Sequence, residues 1–484
     1  MNTPNELIKK IEFLLFLPIV FLLYWFVFNK SLKHQNFLVL VASYFFYGWW
    51  SWEFTGLLFL STLIDFSFGF WVASPDRKKA KLFLILSILN NLGLLALFKY
   101  YNFFAEQIQA GFAKIGWECH PILLNVALPI GISFYTFHGM SYVFDIYRGQ
   151  QKPTKNFIDY SVFVSFFPLL VAGPIERANH LLPQVQKKRS YSDVQWIEGS
   201  RLILWGLFKK VVIADSLAVI ANQVFSDFSN QSSFMLILGA IAFSFQIYGD
   251  FSGYSDIAIG SAKLLGFELL SNFKFPYFSR NIAEFWRRWH VSLSSWFRDY
   301  LYIPLGGSKS GTTKAFRNTY VIFLVSGFWH GASWNFIIWG FIHACFFLPL
   351  LLLHQNRKYT EVTIAENRYL PNLKEIVQVL FTFSLVTLAW IFFRQTDSQL
   401  AIDYVKRMVV NAVENPEQFK TWPKVDAGIF WIIPFIVYDW INRRNERVVR
   451  FPRHVVLRWF MYVLMIFFIF LFSNRDVAFI YFQF

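Results

Sequence analysis

Two histidines, forty positions apart, are the side chains of this sequence best suited to chemistry. His330 lies in a run of about twenty residues that is otherwise apolar or small and includes SGFWHGASWNFIIWG. Burying an ionisable group in hydrocarbon costs a few kcal/mol or more, so such a residue is a functional candidate. His290 lies beside Arg287, Arg288 and Trp289 in a basic, aromatic segment. We expect His330 in the membrane plane and His290 at the membrane surface, a layout that suits chemistry conducted across a bilayer.

The residue types around His330 favour acyl transfer to a hydroxyl group. That reaction needs one base to deprotonate the hydroxyl and donors to stabilise an oxyanion. Gly327 and Gly331 can break a helix, so we expect His330 at a break that lines a cavity. The alternative is a histidine that is hydrogen-bonded inside a helix bundle. The nearby candidate donors are Ser326, Trp329 and Ser333.

Metal chemistry is not indicated by the spacing of the ligand-type residues. No two histidines stand four positions apart, and the two cysteines, Cys119 and Cys345, form no cluster. Zinc sites in proteins are built from closely spaced His and Cys ligands. We therefore expect no metal site.

The basic segment at 285–305 carries aromatic and aliphatic residues at spacings of three and four, which predicts an amphipathic helix with a basic face. It is either an anchor on the cytoplasmic leaflet or a rim that admits an anionic cytosolic donor. A cationic, glycine-rich loop follows at 306–314, but it is not a Walker A loop because Thr312 follows Gly311. The candidate donor-binding residues are Arg287, Arg288, Arg298, Lys309 and Lys314.

Two carboxylates interrupt a further apolar stretch. Asp250 and Asp256 belong to YGDFSGYSD, which we place near the end of a membrane helix. They form either a cap and turn or a polar wall of the reaction tunnel. Buried carboxylates in membranes usually have a partner. The candidate tunnel or supporting residues are Trp289, Ser326, Trp329, Ser333, Asp250 and Asp256.

Composition predicts the fold class. Hydrophobic residues make up 56 % of the 484 residues and charged residues only 15 %, whereas soluble domains carry about 25 % charged residues. Several apolar runs are shorter than the roughly 20 residues that a membrane helix needs, so some helices should be tilted, broken or re-entrant. We predict an all-α polytopic membrane protein with about 11 or more membrane helices plus interfacial amphipathic helices. Residues 1–484 should form a single membrane domain without paired repeats.

The net charge of +15, from 45 basic and 30 acidic residues, would suggest nucleic-acid binding in a soluble chain. Here the positive charges fall in short loops between apolar runs, so they are interpreted as topology signals and contacts to anionic lipid. The basic clusters at 30–34 and 76–81 are separated by two apolar segments. Both clusters can therefore be cytoplasmic, which places the N-terminus outside.

Several motifs resemble the membrane-bound O-acyltransferase (MBOAT) family, and within it the alginate O-acetyltransferase branch. The resemblance runs over nearly the full length, with core motifs at roughly 122–345, and the pair WRRWH and SGFWHGASW is a specific signature. The matching stretches are PIGISFYTFHGMSYVFDIYRG (129–149), FFPLLVAGPIER (166–177), YGDFSGYSDIAIG (248–260), NFKFPYFSRNIAEFWRRWHVSLSSWFRDYLYIPLGG (272–307), SGFWHGASWNFIIWG (326–340) and the C-terminal FIYFQF.

The resemblance implies an MBOAT-type helical bundle in the bacterial cytoplasmic (inner) membrane. It implies transfer of an acetyl group from cytosolic acetyl-CoA, a co-substrate rather than a bound cofactor, toward hydroxyls of an extracytoplasmic polysaccharide such as an exopolysaccharide. The two histidines of the family fall on His290 and His330, the second being the usual base. A periplasmic or surface partner of the SGNH-hydrolase type often completes the transfer. We expect the two histidines to mark one passage, with His290 nearer the donor.

Two other functions compete with acetyl transfer. D-alanyl transfer to teichoic acid belongs to a related branch that takes its acyl group from a carrier protein. A transporter or polysaccharide-export component belongs to a different class. Against a transporter stand the lack of paired repeats and the lack of several carboxylates that could form a proton relay with the histidine.

Overall fold

The computed structural model describes residues 11–170, 173–308, 311–360, 362–420, 422–474 and 477. Every regular element among these residues is a helix. In chain order, the α-helices of the first half are α1 (Ile11–Leu22), α2 (Leu32–Trp50), α3 (Trp52–Val72), α4 (Arg77–Leu95), α5 (Tyr101–Lys114), α6 (Ile132–Tyr147), α7 (Phe157–Ser165), α8 (Phe167–Leu170), α9 (Ala178–Gln186) and α10 (Asp193–Leu207).

The second half of the chain is helical in the same way. Its α-helices are α11 (Asp215–Ser226), α12 (Ser233–Leu264), α13 (Ile282–Arg288), α14 (Val291–Phe297), α15 (Thr312–His330), α16 (Trp334–Leu352), α17 (Leu373–Arg394), α18 (Ser398–Glu414), α19 (Ile432–Asn442) and α20 (Val455–Phe472). Short π-helical turns extend several of them, at Leu23–Val27, Ala96–Tyr100, Phe208–Ala214 and Arg298–Tyr302. The all-α prediction is confirmed.

Six helical segments are long and apolar enough to cross a membrane, by length and composition, within the described part of the chain. They are Trp52–Val72, Arg77–Lys114, Ser233–Leu264, Trp334–Leu352, Leu373–Arg394 and Val455–Phe472. Three shorter apolar helices lie at Glu12–Val27, Phe157–Leu170 and Ala427–Asn442. The predicted total of about 11 or more membrane helices stays a prediction.

The chain packs into two compact units. One contains residues 1–199 and 261–270, and the other contains residues 200–260 and 271–484. Within the first unit, Asp65 of α3 accepts hydrogen bonds from Ser87 (2.6 Å) and Asn91 (2.9 Å) of α4. A Cβ on Gly139 of α6 would overlap the same carboxylate. The buried carboxylate therefore joins α3 to α4 by hydrogen bonds and packs closely against α6.

Both histidines belong to the second unit. There, α15 and α16 form a helical hairpin, and His330 lies just before the connection between the two helices. Its helices approach at backbone distance, because a Cβ on Gly327 would overlap the carbonyl oxygen of Phe336, and one on Gly340 would overlap that of Phe323. Small residues allow such close packing between membrane helices. Gly327, which was predicted to break a helix, lies within α15 and instead allows α16 to pack closely against it.

The amphipathic helix predicted over 285–305 is wrong as a single element. The segment consists of α13, a break at Trp289 and His290, α14 and then the π-helical turn. Its aromatic side chains are mostly buried within the protein rather than laid on a surface, as Phe285, Trp289 and Trp296 are. The periodicity was real, but those side chains pack against neighbouring helices rather than lipid.

Gly327→Ala and Gly340→Ala are each expected to destabilise the hairpin. The added methyl group meets a backbone oxygen, which cannot swing away as a flexible side chain can, so the cost should be roughly 1–3 kcal/mol. The measurement is the thermal unfolding midpoint of the purified protein. Gly56→Ala in α3 is the matched control, because nothing lies within 4 Å of its Cβ position. It should be neutral or stabilise by about 0.5–1 kcal/mol. Equal midpoints for all three variants would contradict the close approach.

Candidate active site

His290 lies at the junction of α13 and α14 in the left-handed region, with φ 41° and ψ 53°. A non-glycine residue in this conformation costs on the order of 1–3 kcal/mol, and it persists only where the surroundings hold it. The turn ends α13 and lets α14 start in a new direction. The strain therefore points to a required position for this side chain.

Asn272 is the residue that holds the turn. Its backbone oxygen accepts the Val291 N–H at 2.9 Å, and its side-chain oxygen accepts the Ser292 hydroxyl at 2.5 Å. Its amide nitrogen donates to Ser255 of α12 at 2.9 Å. Because Asn272 is buried, these bonds form in a low-dielectric environment, where they are strong. The segment after α12 thus sets the position of His290.

His330 is the last residue of α15. Gly331 follows in an extended conformation, and α16 begins at Trp334 with Ser333 as its N-cap. A Cβ on Gly331 would overlap the ring of Phe336, so only glycine fits without a shift. The predicted break at His330 is confirmed, and Ser333, a candidate oxyanion donor, has a capping role.

The two imidazoles lie side by side. Their ring centroids are 6.5 Å apart, and His290 is 1 % exposed and His330 5 %. The predicted position of His290 at the membrane surface stays a prediction, but His290 is buried within the protein. The strained turn carries it into the interior, where its ring meets Phe251 of α12 at 4.7 Å and Trp329 at 6.0 Å.

Aromatic rings enclose His330 on several sides. Trp329, Trp339 and Phe393 have their ring centroids at 5.1, 5.2 and 5.4 Å from the imidazole. Trp289, which the sequence suggested as a supporting residue, is buried and packs on Trp390 at 5.0 Å. Such walls exclude water and strengthen electrostatic interactions at the imidazoles.

Burial lowers the pKa of the His290 imidazole to about 3. His290 lies outside the six candidate spans and is neutral near pH 7. A neutral imidazole can donate one hydrogen bond and accept another. In this form it carries no positive charge and can orient a reactant through a hydrogen bond. Among the described residues, no group of three or more His, Cys, Asp or Glu side chains is placed to hold a metal ion.

An apolar cavity of about 260 Å³ lies along one face of α15, and neither His290 nor His330 is among the described residues that line it. Thr319, Phe323 and Ser326 line it at helical spacing. Ser326 lies four residues before His330, which is about 6 Å along the helix axis. The remaining lining residues are Trp286, Ser294, Phe297, Arg298, Tyr302, Ser308, Ile322, Phe347, Asn356 and Arg357.

A basic cleft of about 470 Å³ adjoins this apolar cavity, since Trp286, Ser294 and Arg298 line both. Six cationic side chains and two carboxylates line the cleft. They are Lys274, Arg287, Arg288, Arg298, Arg443 and Arg444, and Glu284 and Glu446. The excess of positive charge suits an anionic ligand.

Three of the five predicted donor-binding residues line the basic cleft, namely Arg287, Arg288 and Arg298. Arg288 is bound to Glu284 at 2.9 Å, and Arg287 donates to the Asn356 carbonyl at 2.8 Å. Lys314 lies exposed in the first turn of α15. Lys309 falls outside the described residues.

The sequence analysis missed Lys274, Arg443 and Arg444. The last two belong to the arginine-rich stretch that follows α19. The charge of this stretch was interpreted as a topology signal in a short loop between apolar runs. The signal was present, but nothing in the sequence connected this loop to 287–298.

Asp250 and Asp256 lie in the interior of the continuous helix α12, so the cap-and-turn interpretation is wrong. Lys210 pairs with Asp250 at 2.7 Å and with Asp215 at 2.7 Å, and Lys209 pairs with Asp256 at 2.8 Å. The expected partners exist, and the sequence analysis had not named the two lysines. Neither carboxylate is among the described residues that line the apolar cavity or the basic cleft.

Comparison with known proteins identifies the family. A family model described as the membrane-bound O-acyltransferase family matches residues 44–393. The chain belongs to this family. The MBOAT chain is thus a multi-pass membrane protein and an O-acyltransferase, and both of its adjacent histidines lie within the matched region.

Three relatives are similar to this MBOAT chain over more than half of its length. The probable alginate O-acetylase AlgI of Pseudomonas putida is 41 % identical over 80 % of this chain and 76 % of its own length. The peptidoglycan O-acetyltransferase of Helicobacter pylori is 36 % identical over 81 % of this chain and 78 % of its own. The teichoic acid D-alanyltransferase of Bacillus subtilis is 27 % identical over 56 % of this chain and 69 % of its own.

Lys210→Met is expected to lower stability by roughly 3–5 kcal/mol, because it removes the buried cation that faces Asp215 and Asp250. Thermal unfolding of the purified MBOAT protein in detergent measures the loss. Adding Asp250→Asn to the same chain should recover part of it, since one uncompensated charge is then gone. Lys314→Met, which removes an exposed cation, should stay within about 0.5 kcal/mol. A Lys210→Met protein that unfolds at the unchanged temperature would contradict the ion-pair assignment.

Proposed function

We propose that the protein transfers an acetyl group from cytosolic acetyl-CoA toward hydroxyl groups of an extracytoplasmic polysaccharide. The observation that carries the proposal is the pair of adjacent buried imidazoles, of which His330 ends α15, the helix whose Ser326 lines the apolar cavity. The acceptor class is supported by the relatives, which are an alginate O-acetylase and a peptidoglycan O-acetyltransferase by name.

The adjoining basic cleft and apolar cavity match the two parts of an acyl-CoA. The nucleotide carries phosphates, for which guanidinium groups such as those of Arg287, Arg298 and Arg443 are well suited. The pantetheine arm is less charged and enters the apolar cavity, so the thioester advances past Ser326 toward His330. CoA is too polar to cross lipid, so the basic cleft faces the cytosol, where CoA is made.

Acyl transfer then needs one proton to move twice. His330 accepts the proton of the acceptor hydroxyl as its oxygen attacks the thioester carbonyl. The tetrahedral intermediate collapses and the C–S bond breaks. His330 then gives the same proton to the CoA sulfur. His290, held neutral by burial, orients the reactants through hydrogen bonding. The products are the ester and free CoA, and no other reactant is required.

The acceptor reaches His330 from the outer side of the bacterial cytoplasmic (inner) membrane, with the N-terminus of the protein also outside. A periplasmic or surface partner of the SGNH-hydrolase type carries the acetyl group onward to the polysaccharide. The cleft favours a free nucleotide thioester over a carrier protein, because its cations lie in a cleft of about 470 Å³. This supports acetyl transfer, and D-alanyl transfer is the alternative.

His330→Gln is expected to lower acetyl transfer by roughly 10²- to 10⁴-fold, the usual contribution of a general base. The amide has a similar size but cannot accept the proton. The measurement follows labelled acetyl from acetyl-CoA into the surface glycan, alongside release of free thiol. His454→Gln, an exposed histidine, is the control and should retain full activity. Near-normal transfer by a folded His330→Gln protein would refute the assignment.

Reversing the charge of two cleft arginines, Arg298→Glu with Arg444→Glu, should raise the KM for acetyl-CoA about tenfold. Removing the positive field should also flatten the fall of kcat/KM with ionic strength. Lys152→Glu with Lys188→Glu is the matched control, because it makes the same change in net charge at exposed residues of the other unit. A loss confined to kcat, with KM and salt response unchanged, would show that the arginines are structural.

A further inference from the structure

Trp286 occupies the boundary between the apolar cavity and the basic cleft, because its side chain lines both. Its ring packs against Phe323 at 5.3 Å and Trp339 at 5.6 Å. Trp339 in turn stands perpendicular to the His330 imidazole at 5.2 Å. Trp286, together with Ser294 and Arg298, therefore surrounds the place where the basic cleft meets the apolar cavity.

His343 of α16 holds this indole. Its Nδ1 accepts the Trp286 Nε1–H at 3.3 Å, and the side chain is completely buried. Since Nδ1 accepts, the ring proton of neutral His343 belongs on Nε2. The imidazole is clamped by Phe285, parallel at 6.3 Å, and by Trp339 at 4.9 Å.

The Nε2 atom of His343 has no hydrogen-bond partner among the described residues. An unsatisfied buried donor costs about 1–3 kcal/mol. A leucine of similar volume would avoid that cost and pack in the same aromatic surroundings. Such exceptions in folded proteins call for a specific explanation, and the bond to Trp286 supplies one.

We propose that His343 is a positioning residue for acyl transfer, which fixes Trp286 where the basic cleft meets the apolar cavity and so sets how far the donor's arm reaches toward His330. The inference rests on the proposed function, because it takes the donor to span both spaces. A shift of about 1 Å in the reacting groups can cost on the order of 10²-fold in rate. Without the hydrogen-bond acceptor on His343, the indole N–H of Trp286 is free to turn toward the apolar cavity. The turned indole then displaces the pantetheine arm of the donor.

Two substitutions separate the hydrogen bond from the packing. His343→Gln keeps an acceptor, its amide oxygen, whereas His343→Leu keeps the volume and removes the acceptor. Two acyl donors distinguish an effect on the position of the donor's arm from a general effect on the protein structure. Acetyl-CoA spans the basic cleft and the apolar cavity, while the thioester S-acetyl-N-acetylcysteamine is short enough to enter the apolar cavity alone.

For His343→Leu we expect kcat/KM for acetyl-CoA to fall about 5- to 20-fold and kcat/KM for the short thioester to change less than twofold. His343→Gln should restore acetyl-CoA use to within about threefold. Trp286→Phe, which removes the N–H and keeps a ring, should reproduce the His343→Leu ratio, and the double variant should show no further loss. His138→Leu removes another buried histidine, in the other unit, and should leave the ratio of the two donors unchanged.

Equal losses with both donors, multiplicative losses in the double variant, or no rescue by glutamine would each overturn the role of His343. Failure of the unsubstituted protein to turn over acetyl-CoA is a different result. It would overturn the proposed function, and the role of His343 would fall with it.

Discussion

The cost of leaving a polar group unpaired in hydrocarbon is the constraint on which this structure depends. Lipid offers no hydrogen bonds, so each buried polar side chain needs a partner within the protein. Asp65 accepts hydrogen bonds from Ser87 and Asn91, and Asp250 forms an ion pair with Lys210. These contacts join helices that apolar packing alone would leave free to slide, because lipid tails are as apolar as leucine.

The same constraint builds the active site. Asn272 is buried, and its three hydrogen bonds are what keep His290 in a strained left-handed turn. The turn brings one imidazole beside the other, which a continuous amphipathic helix could not do. His330 reaches its place by a different route, at the end of a helix whose glycines allow its partner helix to approach at backbone distance. A strained loop and a tight helix hairpin together define one site.

Much of this was available from the sequence. The helical class followed from composition, since only helices and closed barrels satisfy the backbone within lipid. His330 and its helix break followed from an ionisable residue flanked by glycines, and the MBOAT family from WRRWH with SGFWHGASW. Some of the arginines that line the cleft could also be predicted from the sequence, because Arg287 and Arg298 lie near His290 in the chain.

What the sequence by itself determined were properties that each residue carries locally, such as hydropathy, charge, backbone freedom and the ability to accept a proton. Only the tertiary structure decided which of them meet. It placed Lys209 against Asp256, 47 residues away along the chain, and Lys210 against Asp250, 40 residues away. It also added Arg443 and Arg444 to the basic cleft, buried His290 in the interior and set His343 against Trp286. Periodicity reports that one face of a helix is buried, but not whether lipid, a second helix or a ligand covers it, because each offers a similar apolar or polar environment to a single residue.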